Sequence, residues 1–208
     1  MTVLDRLAGA LERRDERPNV ALAEELARKA DREAIDELIG VLRTSSDKRQ
    51  KNDALKVLYE VGERRPELIA PYAEEFLQLL ASHTNRQVWG AMQALEAIAE
   101  QRPETILDSL PQIIEAADKG SVIANDSCTA ILVKLAAKGH AGTTVPILLD
   151  RLKKAAPNQF ATYAEETATV LTEDAKPGFL AVLKQRITQI TQRSKRERVE
   201  RLMRKMGG

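Results

Sequence analysis

The tripeptide Arg65-Pro66-Glu67 returns as Arg102-Pro103-Glu104, about 37 positions on, a spacing typical of helical repeat units. Sliding the chain by that period places Ala54 on Ala91, Leu58 on Leu95 and Leu132, and Val61 on Ile98 and Leu135. Ile69 falls on Ile106, and Leu77 on Ile114. A fixed period of this size means stacked units, each covering the apolar face its neighbour leaves open. An array of this kind supplies a surface; it does not by itself assemble reacting groups.

Composition decides what the units are made of. Hydrophobic residues make up 43% of the chain but aromatics only 3%. Ala, Leu, Glu, Arg and Lys lose little side-chain freedom in a helix, whereas sheets draw on β-branched and aromatic residues. No segment alternates strictly between apolar and polar, so an all-α chain is expected. Apolar residues at helical spacing mark a first helix over Val3 to Arg14. Pro18 opens a second, and Asp31 caps a third. Asp47 caps a helix reaching about Arg65, and Pro66 opens one that ends near Ala81 and contains Pro71. Thr84 or Asn85 caps the next, to about Arg102. Pro103 opens another that Pro111 kinks or delays. Gly120-Ser121 precedes the helix of Cys128, Leu132 and Leu135, which Gly139 ends. Helices over Val145 to Lys154 and Pro157 to about Leu171 follow. A long terminal helix then runs from Gly178 toward Met206.

Two helices per unit and short loops predict an α-solenoid of antiparallel helix pairs. It is read as a single domain over residues 1–208. Its ends must be atypical, because nothing stacks on them. Capping helices over about 1–31 and a basic amphipathic helix over about 178–206 fit those ends.

The net charge of +1 exerts no global pull on nucleic acid or acidic lipid. The distribution is uneven. From Lys184 to Gly208 there are nine Lys or Arg against Glu197 and Glu200, whereas residues 1–183 carry 23 basic and 29 acidic groups. Cys128 is the only cysteine, which excludes an intramolecular disulfide. The first apolar stretch contains Asp5, Arg6 and Glu12, unlike a secretory leader. No apolar run approaches the roughly 18 residues that cross a bilayer. A cytoplasmic protein with no membrane role is expected.

The units resemble HEAT repeats or the related short HEAT-like repeats. The resemblance rests on a loop with Asp or Asn followed by small and aliphatic residues at helical spacing. Asp47 through Ala54-Leu55-Lys56-Val57-Leu58 is one copy, and Asn85 through Ala91-Met92-Gln93-Ala94-Leu95 the next. Cys128-Thr129-Ala130-Ile131-Leu132 is a third, and the likeness spans roughly residues 20–190. The period is shorter than the 40–47 residues common in the class. The column that often holds Arg in such repeats carries Lys51, Val88 and Asn125. The resemblance implies a binding scaffold.

Residues that could carry chemistry are sparse. His83 and His140 stand far apart in the repeat, and no His-Glu pairs recur, so no metal or other cofactor is expected. Cys128 occupies a column held elsewhere by Ala54 and Ala91, the position of a small core residue. Glu24-Glu25, Glu74-Glu75 and Glu165-Glu166 read as solvated helix faces. With no Gly-rich phosphate loop and no nucleophile elbow, a non-enzyme is expected.

Trp89, the single tryptophan, falls outside the columns of Ala54, Val57, Leu58 and Val61. Shifting by the period aligns Asn52, Trp89, Asp126 and Tyr163 with one another. One turn before lie Arg49 and Arg86; one turn after lie Lys56 and Gln93, with Tyr59 beyond. The resemblance implies that this helix row lines a concave surface. Trp89, Arg86, Gln93, Arg49, Lys56, Tyr59 and Tyr163 are therefore the candidate binding residues, of types enriched at interface hot spots. Near the C-terminus, Val199, Leu202, Met203 and Met206 form an apolar stripe flanked by Arg196, Arg198, Arg201, Arg204 and Lys205. That helix reads either as an end cap or as a contact for a partner.

The function expected is a non-catalytic scaffold or adaptor holding a protein or peptide partner, as a monomer or weak homo-oligomer. Two alternatives share the architecture. Bacterial alkylpurine DNA glycosylases use HEAT-like repeats with tryptophans and a catalytic Asp. Here Gln93, not an acid, follows Trp89 by one turn, and the chain through residue 183 is acidic where nucleic acid needs a basic track. HEAT-like subunits of bilin lyases are the other, although no residue set here specifies a tetrapyrrole.

Overall fold

The computed structural model describes residues 2–207; Met1 and Gly208, the outermost residues of the predicted domain, lie outside the described residues. All regular structure among the described residues is helical. No helix among them is long and apolar enough to cross a membrane. The backbone divides into two compact units, Met1–Cys128 and Thr129–Gly208.

The N-terminal unit contains α1 (Arg17–Lys29), α2 (Arg32–Thr44), α3 (Lys48–Arg64), α4 (Ala73–Leu79), α5 (Asn85–Ile98), α6 (Pro103–Asp108) and α7 (Leu110–Lys119). Helix α8 (Val122–Leu135) begins in it. Helix α3 packs against α1 on one side and α5 on the other, so these three form a row. Helices α2 and α4 form a second row, with α2 against α3 and α4 against α5. The periodic columns supply the core: Ala54, Leu58 and Val61 of α3 and Ala91, Leu95 and Ile98 of α5 are all fully buried. Ile69 and Ile106 are equally buried, each at the start of the segment that returns along the second row.

Helix starts follow the expected capping chemistry in part. Asp31 Oδ1 accepts from the Ala34 amide at 3.1 Å, and Asp47 Oδ1 from the Arg49 amide at 2.8 Å. At α5 the Thr84 side chain makes no capping bond. Ser82 Oγ instead accepts from the Thr84 amide at 3.1 Å and donates to Gln87 Oε1 at 2.7 Å. The same latch precedes α3: Ser45 Oγ accepts from the Asp47 amide at 3.1 Å and donates to Gln50 Oε1 at 2.8 Å.

Three expectations need correction. The stretch Val3 to Arg14 is not a helix beyond the short 3-10 turn Leu4–Arg6. Its amides are captured from outside: Ala8 N–H donates to Asn19 Oδ1 and Gly9 N–H to Asp53 Oδ2, each at 2.8 Å. Asn19 Nδ2 donates to Asp53 Oδ1 at 2.9 Å, so one buried carboxylate ties this segment to α1 and α3. The segment after Pro66 is likewise not one helix. It runs through 3-10 turns Pro66–Leu68 and Ala70–Tyr72 before α4, because Pro71 has no amide to continue the ladder. Pro111 has the matching effect, dividing α6 from α7 at Ser109.

The C-terminal unit contains α9 (Ala141–Lys154), α10 (Pro157–Ala168), α11 (Lys176–Arg186) and α12 (Arg193–Lys205). Gly139 precedes α9 with φ of 102°, a left-handed conformation suited to glycine at a helix end. Helix α9 packs on α10 and α11, and α12 on α10 and α11. Phe160, Ala164, Phe179, Leu183 and Val199 fill the core between them. The third correction lies here. The predicted helix over 178–206 is broken by a 3-10 turn, Ile187–Gln189, and an extended Ile190. Crowding at the β-branched Ile187, Thr188, Ile190 and Thr191 disfavours a continuous helix. The break drives Ile190 into the core, and Arg196 satisfies its carbonyl with bonds of 3.1 and 2.8 Å.

Asp53→Ala strands the Ala8–Gly9 corner and leaves Asn19 buried without its acceptor. A loss of about 2–4 kcal/mol is expected, with faster hydrogen exchange at the Ala8 and Gly9 amides. A second test concerns acid. Hydrogen bonds from Arg6, at 2.5 Å, and then Lys29, at 2.7 Å, lower the Glu25 pKa from 4.5 to about 2. A carboxylate lowered in the folded state contributes stability above its unfolded pKa and loses it as pH falls. Glu25→Gln should therefore flatten the decline in stability between pH 4.5 and 2, read by denaturant titration at each pH.

Candidate binding site

Helices α3 and α5 bring most of the predicted residues onto one face of the N-terminal unit. Their close approach depends on two glycines. A Cβ on Gly90 would stand 2.7 Å from Leu55 Cδ2, and one on Gly62 would stand 2.5 Å from Ile69 Cδ1 and 3.0 Å from Ala97 Cβ. With the helices this close, the Tyr59 and Trp89 rings meet at 6.1 Å between centroids, inclined at 59°. That tilted arrangement suits the opposed edge and face potentials of aromatic rings. Trp89 is half-buried and packs on Tyr59 of α3.

Charges are arranged around the pair. Lys56 Nζ lies 4.7 Å from the Tyr59 ring centroid, and the Arg86 guanidinium 6.0 Å from that of Trp89. Glu16, just before α1, pairs with Arg86 through one oxygen and lies 3.6 Å from Lys56 through the other. Glu60 bonds Lys56 at 2.6 Å and Arg64 at 2.7 Å. Burial opposes the charge on Lys56, but its bond to Glu60 and contact with Tyr59 outweigh this and raise its pKa. Burial also disfavours the Glu60 carboxylate, and the two cations overcome it, lowering that pKa. Both groups are therefore charged at neutral pH.

Arg49 is exposed, and its guanidinium donates to the Arg13 carbonyl at 2.8 Å. Arg49, Arg13, Arg86 and Asn52 line a pocket of about 250 Å³ beside the aromatic pair. Gln93 continues the row one turn beyond Trp89; its Oε1 is buried and unbonded among the described residues, as is Asn52 Oδ1. Tyr59 departs from the expectation of an open groove residue: it is only 4% exposed, covered by the approach of α5 at Gly90. Tyr163 belongs to the other unit and is 8% exposed within that unit's core. Sequence reasoning missed Glu16, which bridges Arg86 and Lys56 from about 70 and 40 positions away in the chain, a separation no local pattern encodes.

The C-terminal candidates divide into two kinds. The stripe Val199, Leu202, Met203 and Met206 packs inward on the C-terminal unit's own core. Arg198 makes a two-pronged bond to Glu165, at 3.0 and 2.5 Å, and Arg196 holds the Ile190 carbonyl. The bond from Arg198 lowers the Glu165 pKa. Arg201, Arg204 and Lys205 are exposed. Among the described residues no group of three or more His, Cys, Asp or Glu could hold a metal ion.

The glycine contact that sets the aromatic pair is open to test. Gly90→Ala forces Leu55 aside and should cost about 1–3 kcal/mol. It should also shift the Trp89 emission spectrum, because the α3–α5 spacing governs how far the indole is covered.

No protein-family model matches the chain, and no curated protein matches it. Among solved structures it is similar to an engineered protein whose crystal structure was a structural-genomics target, with a TM-score of 0.61 and 19% identity. The likeness covers 100% of this chain and 97% of that one, and at this identity it speaks for the all-helical fold alone.

Proposed function

We propose that the helix rows of the N-terminal unit are HEAT-like solenoid units, and that the protein is a non-catalytic scaffold. On this reading it holds a protein or peptide segment on the α3–α5 face. The observation that carries the proposal is Trp89, a half-buried indole packed at a tilt against buried Tyr59 with a guanidinium over its ring. A rigid aromatic left partly exposed beside Arg has the character of an interface anchor.

Electrostatics favour this over a nucleic-acid face. Glu16 and Glu60 already neutralise Arg86, Lys56 and Arg64. A phosphate track needs cations free to replace counterions.

Affinity capture from cell extract, comparing wild type with Trp89→Ala, tests the proposal. The variant should lose the bound partner at least about ten-fold, as expected for a hot-spot aromatic. Its stability should fall by well under the 3–5 kcal/mol that a core tryptophan costs, about half of that at most. Capture unchanged by the substitution, or a full core-sized loss of stability, contradicts an anchoring role. Retention of duplex DNA that weakens steeply with salt would favour the nucleic-acid alternative instead.

A further inference from the structure

Helix α12 carries seven Lys or Arg residues between Arg193 and Lys205. Four of them are engaged within the C-terminal unit. Arg198 is held by Glu165, and Arg196 caps the Ile190 carbonyl. Arg193 pairs with Glu197 at 2.8 Å, and Lys195 reaches Asn158 at 3.4 Å. Arg201, Arg204 and Lys205 are exposed, and only Arg201 feels a nearby anion, the Glu165 carboxylate that Arg198 already holds. The free cations are thus collected at the C-terminal half of the helix.

Two of these, Arg201 and Lys205, stand on the rim of a groove of about 360 Å³ between α10 and α12. Its floor is apolar, formed by Ala168, Leu202 and Met206, and the Glu165–Arg198 pair closes one end. Arg204 is exposed but does not line the groove. Residues four apart on a helix lie about one turn, roughly 6 Å, apart. The rim therefore presents two positive charges at the spacing of successive carboxylates on a facing helix. The C-terminal unit as a whole is positive, with 15 basic against 7 acidic residues. Such a field steers an anionic partner toward it.

We propose that this groove receives an acidic amphipathic segment of a partner protein. Apolar side chains of the segment enter between α10 and α12, and its carboxylates meet Arg201 and Lys205. An apolar floor between charged rims is the arrangement of helix-in-groove recognition. Other anionic surfaces fit less well. A phosphate backbone has nothing to place on Leu202, Met206 and Ala168, and it meets the carboxylates of Glu197 and Glu200 along the same helix. A lipid surface needs the apolar stripe of α12 turned outward, whereas Val199 is fully buried and its neighbours in the stripe pack inward.

The test uses the full-length chain and a fluorescein-labelled helical peptide of Leu, Ala and Glu, with leucines at i, i+3 and i+4 and glutamates on both flanks. Fluorescence anisotropy should show saturable binding. Arg201→Glu/Lys205→Glu should weaken it at least about ten-fold, as opposing charge at a rim does. The charge-matched control Lys184→Glu/Arg204→Glu should change it by less than about three-fold, since long-range steering alone remains. A peptide with serines for the leucines should bind no better than the double-reversal variant binds the original. Trp89→Ala should leave all of this unchanged, which separates this groove from the α3–α5 face. All four positions are exposed, so the circular dichroism of both double variants should match that of the wild type.

Equal loss in both double variants would show a diffuse charge effect and overturn the proposal. So would indifference to the leucines, no binding by the peptide, tighter binding of duplex DNA, or tighter binding of phosphatidylserine vesicles.

Discussion

Covering α3 on both sides is the constraint from which the N-terminal unit follows. A helix hydrophobic around most of its circumference must be covered on every buried face. In α3, Ala54, Leu55, Val57, Leu58, Tyr59 and Val61 are all buried, leaving only a narrow strip for water. Neither α1 nor α5 alone could exclude solvent from so wide a surface. Small residues at Gly62 and Gly90 set how near the helices come, and that distance brings two separate aromatics into a tilted contact. Packing and candidate site are consequences of one spacing.

The N-terminal corner obeys a different logic. Here the side chains of Asn19 and Asp53 replace a helical ladder, taking up the amides of Ala8 and Gly9. A buried carboxylate whose two oxygens each accept a hydrogen bond costs little, and it fixes the entering segment of chain in one position. It also delivers Glu16 to Arg86 and Lys56, so that the candidate face carries an internal anion beside its indole.

Much of this was legible in the sequence. The period fixed the buried columns, because small and aliphatic residues recur wherever one helix must lie on another. Pro111 marked the interruption between α6 and α7, since a missing amide acts locally, whereas Pro71 was read as lying within one helix that the structure breaks. The alignment of Lys56, Arg86, Trp89 and Gln93 along one face also followed from helical spacing. Tyr59 was not legible as a core residue, because its cover comes from a neighbouring helix and depends on a glycine there. Nor was the break at Ile190, where crowding among β-branched residues overrides a basic pattern that reads as one continuous helix. Long-range pairs such as Gly9 with Asp53 leave no periodic trace. The Ser–Gln latches did leave one, Ser45 and Gln50 recurring as Ser82 and Gln87, but polar matches in loops stand out less than aliphatic columns.

Those latches bear on how a row of such helices can change length. Each serine bonds only to residues of its own bend and the first turn after it. The direction in which the following rod departs is therefore dictated within six residues of chain, before any neighbour arrives. A module with a self-sufficient corner can be copied in tandem and still aim its newcomer correctly, so duplication of such a segment yields a longer molecule rather than a tangled one.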